Sequence, residues 1–144
     1  MKTFIVDAST CVKWVLNDEE DHLIAKNILK DYLDEKISLV APNLWIYEIT
    51  NCLKSAVLKK RISEFTCHDL LNLILIAKPG LLSIEPMIQT CYKLSCKYQI
   101  SIYDSAYLTL ALENNVPFIT ADTKLLNKLK TLKKGIVISL GDFG

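Results

Sequence analysis

Thr3-Phe4-Ile5-Val6-Asp7-Ala8-Ser9 carries a short apolar run straight into a carboxylate and then into two small residues that suit the start of a helix. A run of this length reads as a buried strand. In a parallel sheet its terminal acid lies at the carboxyl end of a central strand, the edge where open α/β sheets bind ligands. Four further runs have the same character: Ile37 to Val40, Leu81 to Ile84, Pro117 to Thr120 and Ile136 to Leu140. Between them apolar residues recur at helical spacing over Ser9 to Leu16, Glu20 to Glu35, Asn43 to Lys60, Ser63 to Lys78, Pro86 to Lys97, Ser101 to Asn114 and Asp122 to Leu129. Strands alternating with helices predict an α/β fold whose parallel sheet is covered on both faces. Pro42, Pro79-Gly80, Pro86, Asn114-Asn115 and Gly135 are expected between elements, and Gly141 to Gly144 as a frayed end.

At 144 residues the chain fits a single domain, 1–144, able to bury a core without disulfides. Its composition is 51% hydrophobic, which points to a doubly covered sheet, a subunit interface or both. A homo-oligomer is therefore expected. No run approaches the roughly 20 apolar residues of a membrane span, and Asp7 cuts the N-terminal apolar stretch too short for a secretion signal. These features predict a cytoplasmic protein. The five cysteines form no C-x-x-C pair and fall in helical segments, so reduced, mostly buried thiols are expected and a zinc site is not. His22 and His68 receive no chemical role. Net charge is only +1, but Lys59-Lys60-Arg61 and the lysines at 124, 128, 130, 133 and 134 stand apart from Asp18-Glu19-Glu20-Asp21. That segregation is compatible with a phosphate-bearing substrate as well as with solvated helix faces.

Asp7, Glu48, Asp104 and Asp122 are the candidate functional acids. Asp7 and Asp122 follow strands and each could simply cap a helix, while Ser101-x-x-Asp104 matches a capping box. Glu48 resists such an account. Trp45, Leu44, Asn51 and Cys52 stand three and four positions from it, and Ile49, Leu53 and Ala56 extend the same apolar side, so its flanks do not solvate a charge. Burying an unpaired carboxylate costs several kcal/mol, so Glu48 must reach water, pair with a lysine or meet a cation. In a doubly wound sheet all four acids can converge on one crevice and bind Mg²⁺ or Mn²⁺, hard ions that take oxygen ligands and keep several waters. Ser9 or Thr10, and Thr120, are placed to hydrogen-bond a phosphate oxygen or a metal-bound water, although each is also an ordinary capping residue.

Four segments carry a family resemblance: Phe4-Ile5-Val6-Asp7-Ala8-Ser9, Pro42-Asn43-Leu44-Trp45-Ile46-Tyr47-Glu48-Ile49-Thr50-Asn51, Ile102-Tyr103-Asp104-Ser105-Ala106-Tyr107-Leu108-Thr109-Leu110-Ala111 and Phe118-Ile119-Thr120-Ala121-Asp122. In this order and spacing the chain resembles the PIN-domain ribonucleases, most closely the VapC-type toxins of toxin-antitoxin modules. The resemblance implies a three-layer α/β/α sandwich around a five-stranded parallel sheet. It further implies Mg²⁺- or Mn²⁺-dependent endonucleolytic cutting of RNA, a homodimer, and an antitoxin whose tail enters the active-site groove. By position Asp7, Glu48, Asp104 and Asp122 would be the acidic metal-binding residues. Many relatives carry a further acid just after the position of Asp122, where this chain has Thr123 and Lys124. One firmly held ion is thus expected in the absence of RNA. With Arg61 the chain's one arginine, phosphate contacts would fall to lysines.

Two other readings stand beside this one: a PIN nuclease of RNA maturation or decay that has no antitoxin, which the sequence barely separates from the toxin, and an RNA-binding domain that has lost its chemistry. The intact acid set argues against the second. A phosphoryl-accepting receiver domain would want an acidic pair after the first strand, where Ala8 and Ser9 stand.

Overall fold

Phe4, Ile5 and Val6 are consecutive in sequence and all buried, which in a strand requires cover on both faces. They belong to β1 (Lys2–Val6), the centre of a five-stranded sheet completed by β2 (Ile37–Pro42), β3 (Gly80–Leu82), β4 (Phe118–Thr120) and β5 (Val137–Ser139). This computed structural model describes every residue from Met1 to Gly144. All strands run parallel in the order β3-β2-β1-β4-β5. The five-stranded parallel sheet expected from the sequence is present.

The helices are α1 (Ala8–Cys11), α2 (His22–Leu33), α3 (Trp45–Leu58), α4 (Glu64–Ile76), α5 (Ile88–Tyr98), α6 (Ile102–Asn114) and α7 (Thr123–Lys128). α6 crosses β1, β2 and β4 and carries α5. Its residues from Ser105 to Ala111 are buried without interruption, because one side meets the sheet and the other meets helices. A second group forms around α1 and the 3-10 turn Val12–Trp14, against which α2 and α3 pack. The chain builds β2 and β3 outward from one side of β1 and then returns to place β4 on the other side. The strand order therefore reverses between β1 and β4, and a crevice opens beyond their carboxyl ends.

Several boundaries differ from the sequence reading. The first helix, expected to run from Ser9 to Leu16, tightens into a 3-10 turn after Cys11. The third strand is Gly80–Leu82 rather than Leu81 to Ile84, a three-residue edge pairing only with β2. Pro42 ends β2 instead of lying outside it, opposite Leu82, and the Asn43 N–H then continues the pairing by donating to the Leu82 carbonyl at 2.9 Å. Pro117 stands just before β4, yet its carbonyl accepts the Ile5 N–H at 2.8 Å. The expected frayed end is partly ordered: Leu140–Asp142 form a 3-10 turn, and the Phe143 ring meets Phe4 edge-on at 5.3 Å. All five cysteines are free and lie on helices, but only Cys11 and Cys91 are buried, and Cys96 is exposed. No helix is long and apolar enough to cross a membrane.

Phe118 ties this core to the crevice, since its ring lies fully buried and stacked on Tyr107 with centroids 5.7 Å apart. Phe118→Ala should cost about 3–5 kcal/mol of stability, typical for loss of a buried aromatic. A lower midpoint of urea unfolding with an unchanged slope would show it.

Candidate active site

Asp7 leaves β1 at the point where the strand order reverses, and only 7% of its surface is exposed. Three groups hold it there. Its Oδ1 accepts the Ser9 hydroxyl at 2.7 Å and the Thr10 N–H at 3.1 Å, so Asp7 is indeed the N-cap of α1. Its Oδ2 accepts the hydroxyl of Thr120, at the end of the neighbouring β4. Burial raises its carboxyl above the ordinary range, against the pull of these hydrogen bonds.

Thr120 itself is fully buried. Its hydroxyl donates to Asp7 and accepts the Asp122 N–H at 3.1 Å, so it fixes two acids relative to one another and does not line the cleft. Ser9 does line the cleft, and its Oγ also accepts the Ala121 N–H at 3.1 Å. Thr10 turns inward and is buried.

Asp122 caps α7 by accepting the N–H groups of Lys124 and Leu125 at 3.0 and 3.1 Å through Oδ1, which leaves Oδ2 for the cleft. The capping box at α6 is half made. Ser101 Oγ accepts the Asp104 N–H at 3.0 Å, but no bond returns from the Asp104 carboxylate to the Ser101 N–H. Burial raises the Asp104 carboxyl, the charge of Asp122 adds to the effect, and Lys128 opposes it.

Glu48 lies in the first turn of α3, beside the fully buried Trp45 and Ile49. No lysine pairs with it. Instead the Tyr107 hydroxyl, reaching across from α6, donates to Oε1 at 2.6 Å. Burial raises the Glu48 carboxyl, and the charges of Asp7 and Asp104 raise it further against the Tyr107 bond. Tyr107 is in turn held far above the ordinary phenol range by burial and by Glu48.

All four acids line one open cleft of about 210 Å³, together with Ala8, Ser9, Asn51, Cys52 and Tyr107. No lysine or arginine is among the lining residues. Burial, with the charges of Glu48 and Asp7, pushes the Cys52 thiol to about 11, so it is neutral near pH 7. The donor set is thus carboxylate oxygens with excess negative charge and no cation to balance it, which suits a hard divalent ion. No group of three or more His, Cys, Asp or Glu side chains is arranged to hold an ion directly. An ion here would be held by one or two carboxylates, with the others reaching it through water, a habit of Mg²⁺.

The PIN domain family matches residues 4–130, a span that contains all four acids. The chain belongs to the PIN-domain family. Ribonuclease VapC1 of Mycobacterium tuberculosis, in two strains, is 25% identical over 125 residues, which cover 87% of this chain and 90% of that protein. The crystal structure of PAE2754 from Pyrobaculum aerophilum shares the fold with a TM-score of 0.70 and 21% identity, covering 97% of this chain and 92% of that one. Within this PIN domain, Tyr107 and Asn51 line the cleft without having been singled out from the sequence, and Tyr107 is the one bonded to an acid. The available signal was its place three residues after Asp104 on α6, which sets both side chains on one helix face.

Asp7, Glu48 and Asp104 all keep their protons to higher pH in the folded chain than in the unfolded one. Folding is therefore favoured below the unfolded carboxyl pKa values, and that contribution is lost as pH rises through the raised folded ones. Glu48→Gln keeps an acceptor for Tyr107 and removes one charge. In EDTA at pH 7 it should raise stability, by on the order of 1 kcal/mol after allowing for solvent screening. Thermal melts of both proteins between pH 4 and 8 would read this, with the gap closing toward low pH.

Proposed function

We propose that this PIN domain is an endoribonuclease dependent on Mg²⁺ or Mn²⁺, and that it is the toxin of a VapBC-type toxin-antitoxin pair. The carrying observation is the single cleft lined by Asp7, Glu48, Asp104 and Asp122 with no cation among its walls. The likeness to a protein named Ribonuclease VapC1 supports RNA as the substrate. A bound divalent ion would supply charge neutralisation at the phosphate and a water of lowered pKa for in-line attack. The chain's own residues supply position. Ser9, Thr10 and Thr120 fix both oxygens of Asp7, while Tyr107 occupies one oxygen of Glu48 and leaves the other for the cleft. Asp104 and Asp122 enter from the start of α6 and the cap of α7, so the carboxylates that would hold an ion against the reacting phosphate are fixed before it arrives. An open acidic groove also suits an antitoxin tail bearing cationic side chains.

Purified protein should cleave single-stranded RNA in Mg²⁺ and stop in EDTA. Asp7→Asn and Asp104→Asn should each slow cleavage by ~100-fold or more, in keeping with several kcal/mol of lost electrostatic stabilisation. Mg²⁺ should raise the melting temperature of the wild type by mass action and that of Asp7→Asn by less. Unchanged cleavage by Asp7→Asn would overturn the reading.

The homodimer belongs to the same proposal. Only Ile74 of α4 is buried, while Phe65, Leu73 and Ile76 are 78%, 58% and 83% exposed, and Leu58 at the end of α3, which packs on α4, is 71% exposed. Covering such a face offers about 25 cal/mol per Å² of apolar surface. Sedimentation should find a dimer for the wild type and a monomer for Phe65→Asp/Ile76→Asp. A wild-type monomer would refute the assembly and leave the chemistry standing.

A further inference from the structure

A second cavity, of about 230 Å³, shares Asp104 and Asp122 with the acid cleft. Its remaining wall comes from the α5–α6 connection at Gln99 to Ser101 and from α7, with Lys124 and Lys128 among the lining residues. Neither lysine is engaged in an ion pair. Lys128 Nζ donates to the Gln99 carbonyl at 2.6 Å, which steadies the side chain, and its charge acts on Asp104 without a direct ion pair. The second cavity thus sets two lysines beside the two carboxylates it shares with the acid cleft, whose own walls hold four carboxylates and no cation. A polyanion entering the acid cleft alone would meet four negative groups, and a single divalent ion offsets only part of that repulsion. Cations beside the cleft must supply the remaining attraction. Arg61 cannot, because it grips Asp18 and Glu19 at 2.7 to 2.9 Å. Lys133 and Lys134 line a different cavity of about 340 Å³, with Pro117 and Ile136, before the starts of β4 and β5 and so at the opposite edge of the sheet.

We infer that the Lys124–Lys128 cavity is a backbone-phosphate subsite, which holds the RNA strand while its scissile phosphate occupies the acid cleft. This rests on the nuclease reading. The subsite fixes the path of the strand from α7 across Asp104 and Asp122 toward Asp7. Lysines act as point charges without the planar fork of arginine, so the subsite adds affinity without choosing a sequence.

The test is fluorescence anisotropy with a labelled single-stranded RNA, in EDTA and again in Mg²⁺, using the full chain. Lys124→Ala/Lys128→Ala should weaken binding about tenfold and reduce the slope of log affinity against log salt by roughly 1.4, the value for two lost contacts to a single strand. Lys124→Arg/Lys128→Arg should restore both. Lys133→Ala/Lys134→Ala removes equal charge at the other edge and should leave binding within about twofold of wild type. In cleavage assays the first pair should raise KM and leave kcat nearly unchanged. Equal losses from the two alanine pairs would overturn the subsite, as would no loss from the first pair or no RNA binding by the wild type. If the wild type binds RNA but does not cut it, the nuclease reading falls and the binding comparison still decides the subsite. Should the double variant fold poorly, exposed Lys124→Ala alone should weaken binding about threefold, and no change there would also overturn the proposal.

Discussion

Asp7 is a carboxylate placed inside a hydrophobic sheet edge, and the surrounding architecture is what makes that tolerable. Its two oxygens are bound by groups from α1 and from β4, elements more than a hundred residues apart in sequence. Thr120 can reach Asp7 only because β4 lies directly against β1, with Val6 opposite Ile119. The same threonine takes the Asp122 N–H, so the second acid's position follows from the first. Without the return of the chain to β1's open side, neither Asp7's partner nor the crevice would exist. The sheet order is in this sense a device for satisfying one buried acid.

A cost accompanies the arrangement. Three carboxyls of the cleft are pushed toward their neutral forms by burial, and two of them also by one another's or a neighbouring acid's charge. Structural demands alone would replace such groups with apolar or amide side chains, since uncompensated buried charge weakens a fold. The proposed cationic ligand would give them a role that the fold itself does not. Glu48 shows it most sharply: helix α3 gives it buried neighbours, and its hydrogen-bond partner is a phenol, which cannot neutralise it.

How much of this was legible in the sequence differs by residue. The strand-forming apolar runs and the four acids could be read because each signal is local: a run, a stop, a capping residue. Asp7, Asp104 and Asp122 looked like helix caps, and two of them do cap helices, so capping and lining the cleft are compatible roles rather than competitors. What escaped was set by distance in sequence. Tyr107 gains its meaning from Glu48, which precedes it by 59 positions. Arg61 and the acidic run at Asp18 and Glu19 looked like segregated charge and instead join, 42 and 43 residues apart. The short edge strand β3 was misplaced because strand propensity decides little where one side has no partner.

The Asp7–Thr120 link also sets a timetable for synthesis. Asp7, at the end of β1, is made 113 residues ahead of Thr120 in its partner strand β4. At ~5–20 residues per second, several seconds separate the appearance of Asp7 from that of Thr120 and Asp122. During that interval the nascent chain presents an incomplete acid set and no closed crevice. Assembly of the cleft therefore waits on a segment made long after Asp7.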